Sequence, residues 1–196
     1  MKFVSPIKSV AKINAIKNLL RWEGNVRDLL LFQLGITSGL RASDILRVKI
    51  SDLYAEGGTI REYFEIKEKK TSKNNRITIT PKTKAVLGEY AERYPEILKK
   101  PENYAFFKKK TYPLGSSSIG RKTYWLLMNR VAKDVGLEGR FGSHSPRKTL
   151  GYSLRMNGVP LEIIQHKLNH SSLAITQRYL WITMEEVEDA CNKLDL

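Results

Sequence analysis

Along this chain apolar residues recur at helical spacing, switch once to strict alternation, and then return to helical spacing. From Ser9, SVAKINAIKNLLRW predicts a helix with Val10, Ile13, Ile16 and Leu20 on one face and Ser9 as its N-cap. Residues 25–39, NVRDLLLFQLGITSG, are more apolar and predict a buried helix that stops at Gly39. RASDILRV adds one or two helical turns. Over residues 61–80, aromatic or β-branched residues alternate with charged ones on both sides of KTSKNN, predicting a β-hairpin with a basic turn.

Pro81 opens a predicted helix that ends near Pro95. Residues 99–120 read as a loop holding a short strand, YAFF, after which Ser117 or Ser118 is placed to cap the helix in IGRKTYWLLMNRVAKDVGL. The helical pattern resumes after Pro146 and runs to about Asn157, with Gly158 as its stop. PLEIIQHKL, SLAITQRYLW and TMEEVEDACNKL predict three further short helices. There is no internal repeat, low-complexity linker or break in composition. The expected fold class is α+β, mostly α-helical, with a small antiparallel β-sheet.

At 196 residues the chain can bury a core as one domain, and 41% hydrophobic with 28% charged residues excludes a disordered polymer. Charge changes the picture more. Thirty-four Lys and Arg against twenty Asp and Glu leave a formal +14, which favours a polyanionic partner, either nucleic acid or an acidic membrane face. No run approaches the ~18 apolar residues of a membrane span, and MKFVSPIKS lacks the apolar core of a signal peptide. A single cysteine, Cys191, can neither close an internal disulfide nor supply a zinc-finger set. A cytoplasmic, nucleoid-associated location is the expectation.

Glu162, His166 and His170 follow one another at spacings of four, which on one continuous helix would align three metal ligands. Asn169 is a natural helix terminator and Ser171-Ser172 a natural start, so His170 is expected to leave the face that carries His166. No metal or cofactor is therefore assigned. A phosphodiester cleft would instead need fixed guanidiniums, a proton donor near neutral pH and a nucleophile. TSGLRASDIL offers Arg41, SHSPRKT offers His144 and Arg147 at the opening of a helix, and LNHSSLAITQRYL offers His170 and Tyr179. Read singly, Arg41 pairs with Asp44 one turn on, the lysines are a solvated turn, and Tyr179 is a core residue.

Their order is more specific. GLRASDIL, KKT in a hairpin, HSPRKT and LNHSSLAITQRY together resemble the tyrosine recombinase (phage integrase) family, from the second helix to Tyr179. The resemblance implies that Arg41 and Arg147 clamp the scissile phosphate and that His144 and His170 are acid–base or hydrogen-bonding groups. It implies Tyr179 as nucleophile and a hairpin lysine as donor to the departing 5′-oxygen, best matched by Lys70, with Lys73 second. The chain departs from the family pattern at Asn169, where Gly is usual, at Pro146, where an apolar residue is common, and at Lys148, where a second His is common.

The implied reaction is site-specific recombination of double-stranded DNA through a 3′-phosphotyrosyl intermediate, without ATP or metal, by a dimer to tetramer assembled on DNA. Lys73, Arg76, Arg121 and Lys122 are expected to contact the DNA backbone. Residues 1–183 would form the catalytic domain and 184–196 a helical tail that docks either on a neighbouring protomer or on its own domain. A separate N-terminal DNA-binding domain is expected to be absent or removed. The rival readings are a type IB topoisomerase-like relaxase and a catalytically idle DNA-binding accessory protein.

Overall fold

The hydroxyl of Ser9 accepts the Lys12 amide at 3.3 Å and starts α1 (Val10–Trp22), supplying a partner to one of the donors that a helix start leaves open. The computed structural model describes residues 4–180 together with 188, 191 and 192. Ile16 and Leu20 are buried and Ile13 packs at the core edge, but Val10 is 69% exposed. The apolar face expected to begin at Val10 therefore starts one turn later, because the first turn of α1 lies beyond the core.

α2 (Val26–Ser38) runs through the centre of that core, with Leu29, Leu30, Leu31, Phe32 and Leu34 fully buried, each burial contributing roughly 1.5–3 kcal/mol. Gly39 ends it at φ 71°, a left-handed conformation that costs glycine nothing. α3 (Ala42–Ile45) and α4 (Ile50–Leu53) are single turns. β1 (Tyr63–Lys67) and β2 (Asn74–Thr78) then form the expected antiparallel hairpin, in which Phe64 faces Ile77 and both are buried. Tyr63, Glu65 and Lys67 face outward, as the alternation requires.

α5 (Pro81–Arg93) is capped by the Thr80 hydroxyl, carries Pro81 at its first position and packs on α2. Pro95 both ends it and opens α6 (Pro95–Leu98). The YAFF strand is not formed. Tyr104 and Phe107 make only isolated bridges, to Lys49 and Ser118, while Ala105, Phe106 and Phe107 fill the core. The apolar run thus marks burial of a loop.

α7 (Arg121–Asp134) starts after Gly120 without a side-chain cap. Both serines expected there are engaged elsewhere: the Ser118 hydroxyl donates to the Phe106 carbonyl at 3.2 Å, and that of Ser117 to the Thr111 hydroxyl at 3.3 Å. α8 (Ser145–Met156), α9 (Leu161–Lys167) and α10 (Leu173–Leu180) follow, so that the described residues are mostly helical with one two-stranded antiparallel sheet among them.

Two compact units divide the chain, residues 1–150 and 151–196. The first holds the large core described above. In the second, Ile164, Leu168 and Leu180 form a small buried cluster, with Leu154, Val159, Leu161 and Tyr179 packed against it. Gly151 permits this approach, since a Cβ there would stand 2.8 Å from Leu180 Cδ2. The helix expected over TMEEVEDACNKL and the separate tail 184–196 lie outside the described residues, save Glu188, Cys191 and Asn192. Among the described residues no helix is long and apolar enough to cross a membrane.

Candidate active site

In the first unit the site is built where the end of α2 meets the start of α8. Gly39 turns the chain and delivers Arg41 to the N-cap position of α3. The Ser145 hydroxyl accepts the Gly142 amide at 3.1 Å and fixes the entry into α8. Next to it, Pro146 lies against Gly35 of α2, where an added Cβ would come within 2.9 Å of the proline Cβ and 2.7 Å of the Tyr124 hydroxyl. A glycine on one helix and a proline on the other therefore allow a close approach. One result is that Arg147, 2% exposed, donates to the Gly39 carbonyl at the C-terminal end of α2.

His144 stands at the mouth of this arrangement. Its outer edge is exposed, yet its pKa lies below the ordinary imidazole value, first because the protein beneath the ring desolvates it. The charges of Arg147, Arg41, Lys148 and Arg121, in that order, push it further down. His144 thus shares one electrostatic neighbourhood with both candidate arginines and favours the neutral form near pH 7, in which one ring nitrogen accepts a proton. Lys148 is 7% exposed, and burial lowers its pKa as well.

Arg41 does not take Asp44 as its partner. Its guanidinium pairs with Glu68, whose side chain is fully buried. Glu68 also accepts from the Thr71 hydroxyl at 3.1 Å and from Asn75 Nδ2 at 2.8 Å. Asp44, equally buried, accepts the Lys69 amide at 2.9 Å and lies 3.6 Å from Arg47. These bonds hold the hairpin turn from which Lys70 and Lys73 project, both exposed. Arg76 stacks its guanidinium 3.5 Å over the exposed Tyr63 ring, and Arg121 and Lys122 are exposed on the first turn of α7.

The second unit carries the other two candidates. Asn169 adopts φ 50°, so the chain turns left-handed after α9 and His166 and His170 part company. The His170 amide donates to the Gln165 carbonyl at 3.0 Å, and Gln165 Nε2 returns a bond to the His170 carbonyl at 3.2 Å. Nδ1 of His170 lies 3.1 Å from the hydroxyl of buried Thr176 on α10. One turn beyond Thr176, Tyr179 places its ring edge-on to the imidazole, with centroids 5.0 Å apart and planes at 70°. Among the described residues no three His, Cys, Asp or Glu side chains gather within reach of one ion.

Arg41, His144 and Arg147 come together in one unit and His170 and Tyr179 in the other. Sequence reasoning passed over Glu68 and Thr176. Nothing in a run of lysines marks Glu68 as buried; Thr176, three residues before Tyr179 on the same helix, was legible as a same-face neighbour.

The family model described as the phage integrase family matches residues 8–186. A probable integrase/recombinase, YoeC of Bacillus subtilis, is 34% identical over 93% of this chain and 92% of its own length. Tyrosine recombinase XerA of Pyrococcus horikoshii is 29% identical over 92% of this chain, which spans 59% of that relative. The fold is shared with crystal structures of XerA recombinase (TM-score 0.74, 17% identity, 98% of this chain and 65% of that one) and of XerH in a post-cleavage complex with a palindromic difH substrate (TM-score 0.74, 19% identity, 100% and 54%). It is also shared with a lambda integrase dimer bound to a COC′ core site (TM-score 0.66, 17% identity, 93% and 51%). With a family model spanning most of its length and a relative of matching extent, the chain belongs to the phage integrase family of tyrosine recombinases.

Proposed function

We propose that this enzyme is a site-specific DNA recombinase in which Tyr179 becomes joined to a DNA 3′-phosphate. The observation that carries this reading is the bond from Arg147 to the Gly39 carbonyl, which brings the second arginine to the turn that presents the first, with His144 in the field of both. Two guanidiniums offer a phosphate bidentate contacts and a charge that never titrates.

Each residue then has a role. Arg41 and Arg147 hold the non-bridging oxygens and stabilise the charge that builds on them during attack. A free phenol has a pKa of ~10, so Tyr179 needs either a base or a positive field to attack at neutral pH. His144, neutral near pH 7, is suited to accept a proton, and His170 adds a hydrogen bond. The Tyr179 oxygen bonds to phosphorus, the P–O5′ bond breaks, and Lys70 protonates the departing 5′-oxygen. A 5′-hydroxyl from a second DNA then reverses the step at a new junction. One phosphodiester replaces another of similar energy, so no ATP is consumed, and the two guanidiniums supply the positive charge that a divalent ion would otherwise bring to the phosphate.

The partner is double-stranded DNA at specific recombination sites, bound by two to four copies of the chain, with Lys73, Arg76, Arg121 and Lys122 on the backbone. The net +14 charge and the exposure of those four residues support this. The test uses nicked duplexes with randomised arms, enriched for binding to the protein and then resolved on a denaturing gel. A covalent adduct formed without ATP or divalent ion is expected. Duplex that is bound but never captured would leave a catalytically idle DNA-binding protein.

A further inference from the structure

Glu68 combines three features that rarely coincide in a surface hairpin: full burial, a charge, and bonds to two separate parts of the chain. Its carboxylate accepts from Arg41, from Thr71 at 3.1 Å and from Asn75 at 2.8 Å. Its backbone closes the turn, its amide donating to the Lys73 carbonyl at 3.0 Å and its carbonyl accepting the Ser72 amide at 2.9 Å. The residues on either side are tied to the same helical segment as Arg41. The Lys69 amide donates to Asp44 at 2.9 Å, and Arg47 donates to the Lys67 carbonyl at 2.5 Å. Lys70 leaves from this frame.

We infer that Glu68 is a positioning residue that fastens Arg41 to the turn carrying Lys70, so that phosphate clamp and proton donor hold one mutual geometry. The inference rests on the roles given above to Arg41 and Lys70. A buried carboxylate is expensive to desolvate and is tolerated only with an opposite charge and further donors, which Arg41, Thr71 and Asn75 supply. An exposed lysine on a flexible stem has little of its own to orient it, so the placement of its backbone governs where the ammonium can reach.

The chemistry allows this role to be isolated. When the Tyr179 hydroxyl gives up its proton to His144, its oxygen bonds to phosphorus and the P–O5′ bond breaks, the proton on Lys70 passes to O5′, and Lys70 recovers one from solvent. If sulfur replaces O5′, the group leaves as a thiolate, since a thiol has a pKa of about 8.5, and no donor is needed. A 5′-bridging sulfur substrate therefore still requires Arg41 but not a well-placed Lys70.

The experiment compares rates of covalent capture on nicked duplexes with oxygen or sulfur at the scissile position. It uses the wild-type chain, Glu68→Gln and Asn75→Ala, with Lys70→Ala and Arg41→Ala as references. Glu68→Gln keeps the shape but turns an amide toward existing donors. Asn75→Ala retains the carboxylate and its pair with Arg41, and so keeps the inference testable if the first variant folds poorly. On oxygen, both are expected to lose about tenfold or more, inside the roughly 10²–10⁴-fold contribution of a general acid. On sulfur, Asn75→Ala should come within about threefold of wild type and Glu68→Gln should regain about tenfold, as Lys70→Ala does and Arg41→Ala does not. Wild-type rates on oxygen, or equal losses on both substrates, would overturn the positioning role. Silence of the wild-type chain on both would overturn the underlying assignment itself, which separates the two failures.

Discussion

A guanidinium nitrogen of Arg147 donates to the carbonyl of Gly39, two residues before Arg41. One side chain thereby completes the end of α2 and carries a fixed charge to the turn that presents the other arginine. Arg147→Ala should lower the rate of covalent capture by about 10²–10³-fold, the scale for losing one preorganised donor. It should also lower unfolding free energy by about 1–3 kcal/mol, because a buried carbonyl loses its partner. Urea melts and capture kinetics on the same preparation check both. Arg147→Lys should recover less than a tenth of the capture rate, since an ammonium cannot reproduce the fork.

His144 gives a pH dependence of defined sign. Its folded pKa lies below the free value of ~6.5, through desolvation and the charges of Arg147, Arg41, Lys148 and Arg121. The unfolded chain then binds more protons between the two values, so this contribution to stability is complete above pH ~6.5 and is lost as pH falls through the folded pKa. Urea melts at pH 7, 6 and 5 should show a decline that His144→Gln flattens. A His144 imidazole resonance, identified by its loss in His144→Gln, titrating above ~6.5 in the free protein would contradict the assignment.

Asn169 holds φ 50° directly before His170. Asn169→Gly should keep both stability and capture, because glycine takes this conformation without strain. Asn169→Val should cost about 1–2 kcal/mol and slow capture, since a β-branched residue at positive φ displaces the imidazole from Thr176. Thermal melts of the two variants side by side separate backbone strain from loss of the asparagine side chain.

Arg76 over Tyr63 is a pre-stacked cation on the exposed face of the hairpin. If it contacts the DNA backbone, Arg76→Ala should weaken binding evenly across sequences and reduce the salt slope of log K by about 1. Tyr63→Ala should give a smaller loss in the same direction, by freeing the guanidinium from the ring. Salt titrations of duplex binding distinguish these changes from a change in sequence preference.

Much of this architecture was readable from local pattern. Gly39 as a stop, the hairpin alternation between Phe64 and Ile77, and the break at Asn169 depend on residues close in sequence, where backbone preference and side-chain periodicity decide the outcome. What escaped depends on distant partners. Glu68 is buried because Arg41, 27 residues earlier, folds over it, and in a run of lysines it reads as solvated. Val10 keeps the helical period but falls outside the core. Tyr104 to Phe107 are apolar because a loop passes through the interior, and neither period separates that from a strand. Ser117 and Ser118 have the right chemistry for a cap, but their hydroxyls are drawn to Thr111 and Phe106.

The most direct measurement identifies the atom that takes the phosphate. A captured adduct is digested with protease and nuclease, and the residual nucleotide is located by mass spectrometry, in parallel with Tyr179→Phe. The expected result is a nucleotide on the peptide containing Tyr179, together with a variant that binds the duplex and yields no adduct. A nucleotide on any other residue, or undiminished capture by the phenylalanine variant, would contradict it.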